Sequence, residues 1–132
     1  MKNIRVVVWV AVSLFMALPA LASTDICYLG SQAAHMTPDQ IDDFYANRIE
    51  GRLLTGRGKV ERVANTSGEG LDGKYEVAIA CSPTVVVILQ TNGFAIERAG
   101  AKKGVVVSFS GECFKIYKSA GVVHCVVKAT IR

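Results

Sequence analysis

The chain has 132 residues, 15 Lys and Arg against 11 Asp and Glu, 51% hydrophobic side chains and four cysteines. That length suits a single domain. The formal charge of +4 falls partly in the first five residues, and without Lys2 and Arg5 thirteen basic residues face eleven acidic ones, leaving +2. A dedicated nucleic-acid binder with a dense basic stripe is therefore not expected.

The N-terminus has the layout of a secretory signal peptide. "MKNIR" is a basic start, the apolar run from Val6 to Leu18 spans 13 residues, and "ALA" at 20–22 is a small-residue cleavage box before Ser23. A spanning helix needs roughly 20 apolar residues, so cleavage rather than anchoring is expected. Residues 1–22 are read as the signal peptide, 23–50 as an N-terminal segment with a helix, and 51–132 as the main domain. The protein is expected in the periplasm or outside the cell, with no membrane span after cleavage.

Between Met36 and Gly51 the pattern is helical. Thr37 is a good N-cap, Pro38 suits the first helical position, and Gln40 completes a capping box. Ile41, Phe44, Tyr45 and Ile49 form an apolar stripe. Asp39, Asp42, Asp43 and Glu50 read as a solvated face whose acids favour the helix N-terminus.

After Gly51 the period changes to two. In "RLLTGRGKVERV" Leu54, Gly56, Gly58 and Val60 share one side, and Thr55, Arg57, Lys59 and Glu61 the other. Glycines inside a strand mark a sharp bend or a barrel corner, so "GRGK" reads as a strand bend and not as a phosphate loop. "ANTSGEGLDGK" reads as a loop, "YEVAIACS" and "PTVVVILQT" as the second and third strands, and the segment from Phe94 to Ala99 as a short helix. "VVVSFSGECFKIY" and "VVHCVVKATI" read as strands four and five.

All four cysteines, Cys27, Cys81, Cys113 and Cys125, lie beyond the signal. An even count in a small exported domain reads as disulfides. The spacings of 54, 32 and 12 residues lack the close ligand pairs of zinc sites, and no C-x-x-C redox motif is present. Three pairings are possible. A turn near Ser119 in "KSAG" would set Cys113 opposite Cys125, which leaves Cys27 for Cys81.

One long, glycine-bent first strand, a helix between strands three and four and a final hairpin predict a mainly β protein, a five-stranded OB-fold-like barrel preceded by an amphipathic helix. At "GRGKVERV", "KYEVAIAC" and "AGAKKGVVVSFSGEC", the last with Gly104 and Gly111, the chain resembles small secreted bacterial OB-fold proteins related to the tRNA-anticodon-like OB family. The likeness covers about 51–132. It implies a fold and a binding role, and it carries over no catalytic residue. Export argues against tRNA as the partner.

None of the hydrolase, zincin, phosphate-loop or EF-hand signatures occurs. His35 is expected in solvent. His124 adjoins Cys125, but neighbours on a strand face opposite ways, so they form no nucleophile–base pair. The chain is expected to be no enzyme and to need no cofactor or metal. Candidate binding residues are Arg57 and Lys59 on strand one, Tyr75 at the start of strand two, and Lys115, Tyr117 and Lys118 on the hairpin. The leading expectation is an exported binding module for a protein or oligosaccharide of the cell envelope. The alternatives are a periplasmic single-stranded nucleic-acid binder, using charge and base stacking, and an oligomeric, toxin-B-like glycan-binding subunit.

Overall fold

The computed structural model describes residues 24–131; the signal peptide read in the first 22 residues lies outside them. Two helices lead in, α1 (Ile26–Ala33) and α2 (Pro38–Phe44), the latter continued by a π-helical turn over Tyr45–Ile49. Then come β1 (Leu53–Ser67), a 3₁₀ turn (Gly70–Asp72), β2 (Lys74–Ser82), β3 (Val85–Asn92), α3 (Gly93–Ala99), β4 (Val106–Ser119) and β5 (Val122–Ile131).

The sheet closes on itself in the order β1-β2-β3-β5-β4. All its ladders are antiparallel except β3–β5. That parallel pair is allowed by the long connection between the two strands, α3 followed by β4 running opposite to both, because parallel neighbours need a long crossover. Lys59 pairs with Ala80 on β2 and with Val106 on β4, so β1 serves both neighbours and closure runs through it. Its glycines make this possible. A Cβ on Gly56 would overlap the Phe109 aromatic ring, and one on Gly58 would overlap the Ile79 side chain. With hydrogen in those places, the two large side chains fill the interior where the strand bends.

The expected alternation is present, with Leu54 and Val60 buried and Thr55, Arg57, Lys59 and Glu61 exposed. The strand outruns the expectation by four residues, since Ala64, Asn65 and Ser67 pair with Glu76, Tyr75 and Lys74. Cross-strand bonding outweighs the weak strand preference of Asn and Ser there.

The capping box forms as the sequence indicates. The Thr37 amide donates to Gln40 Oε1 at 2.9 Å, and the Gln40 amide donates to Thr37 Oγ1 at 3.3 Å. Helix α1 is an element the sequence did not announce. Asp25 caps it by accepting the Cys27 amide at 2.9 Å, and Ile26, Leu29 and Ala33 turn into the same apolar core as Val87, Leu89 and Val123. Full burial of a side chain such as Ile26 contributes about 1.5–3 kcal/mol. The N-terminal helices and the closed sheet therefore share one interior.

Cys27 on α1 and Cys81 on β2 are joined in a disulfide, as expected. The chain-entropy relation gives a cross-link over 54 residues about 4 kcal/mol. The expected bond between Cys113 and Cys125 is absent, and both are buried thiols. Register is the reason. The hairpin turns at Ala120 and Gly121, both with positive φ (51° and 79°), the pattern of a two-residue type I′ turn. Ser119 then pairs with Val122, and Cys125 falls opposite Ile116. A bulge between Cys113 and Lys115 sets Cys113 opposite Val127. The two cysteines point inward but do not face each other across the ladder.

Candidate functional site

A groove of about 770 Å³ lies over β2, β3 and β5, roofed by the β1–β2 turn. Strand register builds it. Glu76, Gln90 and Lys128 are successive partners across the three strands and form one polar row. Lys74 and Asn92 make the next row toward the end of the closed sheet. Asp72 of the 3₁₀ turn and Thr130 complete the wall. Two carboxylates, Asp72 and Glu76, stand against two ammoniums, Lys74 and Lys128, so the groove is charge-balanced. Such a surface can hydrogen-bond hydroxyl and amide groups without selecting a charged ligand.

Tyr75, one of the expected binding residues, belongs to this groove, but not as a free outward platform. It is in phase with the buried Val77 and Ile79, and its hydroxyl donates to the Gly70 carbonyl at 3.4 Å beneath the 3₁₀ turn. Asn92 is also engaged, its Oδ1 accepting the Ala95 amide at 3.0 Å to cap α3.

The hairpin residues form a separate cluster. Tyr117 and His124 are ladder partners, and their rings stack flat, 4.8 Å between centroids and 8° from parallel. The Lys115 ammonium lies 5.1 Å from the Tyr117 centroid, within the range of a cation–π contact. His124 Nδ1 is buried without a hydrogen-bond partner. Lys118 reaches back to the N-terminal segment and donates to the Ala34 carbonyl at 2.7 Å. So the structure brings Lys115 and Tyr117 together with His124, and ties Lys118 to the end of α1 as a structural contact. Tyr117 remains 37% exposed, but the stacking partner of its ring is His124, so a base would have to displace the imidazole or share the ring with it.

Arg57 and Lys59 are consecutive outward residues of β1, exposed as expected and roughly 7 Å apart by strand geometry. They share a face with neither Tyr75 nor the hairpin cluster: Arg57 pairs with Ser108, at the opposite end of β4 from Tyr117. The six expected residues thus lie in three places. Sequence reasoning did not pick out Glu76, Gln90 and Lys128. Their alternation is visible in each strand alone, but only the parallel β3–β5 register sets them in one row.

The buried thiols offer no reactive centre in the folded state. Desolvation pushes the Cys113 thiol above its ordinary value, opposed by hydrogen bonds to the backbone at Lys115 and Val126. Cys125 is raised further by deeper burial and by its proximity to Cys113. A nucleophilic cysteine needs the reverse shift. His124 faces outward, away from Cys125, as strand alternation requires. Among the described residues no group of three or more His, Cys, Asp or Glu is arranged to hold a metal ion, and no helix is long and apolar enough to cross a membrane. No protein-family model matches the chain, and no curated protein matches its sequence.

Proposed function

We propose that the protein is an exported OB-fold module, without catalytic activity of its own, that binds an oligosaccharide of the cell envelope in the groove over β2, β3 and β5. The strand order with one parallel β3–β5 pair supports the OB reading, because such barrels carry ligands across strands two and three. A disulfide between Cys27 and Cys81 suits a non-reducing compartment.

The observation that carries the ligand class is the charge-balanced lining. Carboxylate, amide, hydroxyl and ammonium groups alternate over a groove of about 770 Å³, within the usual range for a bound small ligand. A single nucleic-acid strand would call instead for a basic track with open aromatic faces, and Tyr117 is stacked on His124.

Calorimetric titration of the purified, oxidised protein with oligosaccharide fragments of a bacterial envelope tests the reading. Saturable binding that changes little between low and high salt is expected, weakened about tenfold or more by Glu76→Gln or Lys128→Gln, as loss of a charged hydrogen bond predicts. Failure of every fragment to bind sinks the proposal. Binding of single-stranded oligonucleotides that collapses steeply with salt would replace it with the nucleic-acid reading, and capture of an envelope protein by the same groove would replace the sugar with a protein.

A further inference from the structure

The geometry points to a second binding site on the outer face of β1 and β4, a groove adjoining the first at the Ser110–Thr130 pair, that takes a single oxyanionic group, carboxylate, sulfate or phosphate. The groove measures about 530 Å³. Its floor is three adjacent extended segments. β4 lies along one side of β1. On the other, the Thr55 amide donates to the Thr24 carbonyl at 2.8 Å, and Asp25 forms a parallel bridge with Thr55. Outward from this floor the ladder sets Thr55 opposite Ser110 and Arg57 opposite Ser108. Cross-strand partners have Cβ atoms about 4.5–5.5 Å apart, so three hydroxyls and one guanidinium converge on one patch.

The chemistry of that set is specific. A guanidinium matches the two oxygens of an oxyanion with a fork of donors, and hydroxyls supply further donors beside it. Lys59, the next outward residue of β1, and Lys103, which lines the adjoining cleft with it, add positive potential on one flank. The one carboxylate in the wall, Asp25, already accepts the Cys27 amide as the cap of α1.

Two observations limit the ligand to one charged group rather than a phosphodiester chain. Glu61 follows Lys59 as the next outward residue of β1 and lines the adjoining cleft, so a polyanion extended along the strand would run into like charge there. Phe109, the aromatic residue of this wall, is 3% exposed and points into the core, so no ring is presented for base stacking. The site adjoins the charge-balanced groove where Ser110 pairs with Thr130, but the charged side chains of the two are different, so either can fail without the other.

The test is an amide-resolved NMR titration of the oxidised protein with sodium sulfate, sodium phosphate and glucuronate in separate arms at constant ionic strength. Saturable shifts at Thr55, Arg57, Ser108 and Ser110 are expected in at least one arm, and the arm that saturates first identifies the oxyanion. Arg57→Gln should weaken that binding tenfold or more, and Ser110→Ala, which leaves the exposed arginine in place, about threefold. Lys128→Gln, in the other groove, should leave it unchanged. Absence of saturation in all three arms overturns the assignment, as does equal binding by wild type and Arg57→Gln.

Discussion

The two cysteine pairs have opposite fates, one at the margin of the core and one within it. Cys27 and Cys81 lie on elements 54 residues apart in sequence and are bonded. Cys113 and Cys125 lie on neighbouring strands of one hairpin and are not. Nearness along the chain would have favoured the second pair. What decides is where each backbone places its Cβ. The cap of α1 swings Cys27 toward β2 with no ladder to obey, whereas the hairpin's cysteines are held by a register that the turn sets and the bulge shifts. The first pair latches a helix to a sheet; the second is apolar filling.

That contrast can be broken experimentally, beginning with the latch. Replacing Cys27 and Cys81 together by serine should lower the unfolding free energy by about 4 kcal/mol, read from denaturant midpoints at unchanged slope. A loss below about 1 kcal/mol would mean that packing of Ile26 and Leu29 alone holds α1.

The filling role of the hairpin thiols predicts a different ordering. Cys125→Ala should cost about 1 kcal/mol through a small cavity, and Cys125→Ser about 1–3 kcal/mol beyond that, because it buries a hydroxyl. Equal costs would contradict the apolar reading of the site. Thiol titration should find no reactive groups in the native protein and two after denaturation without reductant.

Stability against pH sharpens the same point. The folded thiols titrate above their ordinary value of 9.0. Their contribution is therefore complete below pH 9 and is lost as pH rises further, since the unfolded chain then releases thiol protons that the folded chain retains. The alkaline slope should shrink in a Cys113→Ala, Cys125→Ala double variant, and an unchanged slope would assign it to other groups.

The smallest effect concerns the turn that sets the register. Ala120 has a φ of 51°, a conformation costing an L-residue about 1–2 kcal/mol. Ala120→Asn, giving the Asn-Gly dipeptide that type I′ turns prefer, should stabilise by about 0.5–1 kcal/mol. Destabilisation would argue for a different turn.

The legible parts of the fold were those set by neighbours in sequence. Thr37, Pro38 and Gln40 write their helix start within four residues, and the alternation from Leu54 to Val60 writes the phase of β1. Helix α1 was missed because "ICYLGSQA" is a weak isolated helix, with a glycine and a serine in eight residues. It is held by burial against strands far along the chain and by Cys81. The site divides in the same way. The outward placement of Arg57 and Lys59 follows from alternation alone. The stacking of Tyr117 on His124 depends on the hairpin register, the capture of Lys118 by the Ala34 carbonyl on the docking of α1, and the Glu76–Gln90–Lys128 row on the parallel β3–β5 ladder.

Because β2, β3 and β5, which floor the charge-balanced groove, are paired on both flanks over most of their length, their main chain leaves no rail there on which a visiting peptide could lie as an extra strand, a common mode of partner capture elsewhere. Recognition is thereby handed to outward side chains. Ligand preference can then be rewritten residue by residue on an unchanged scaffold.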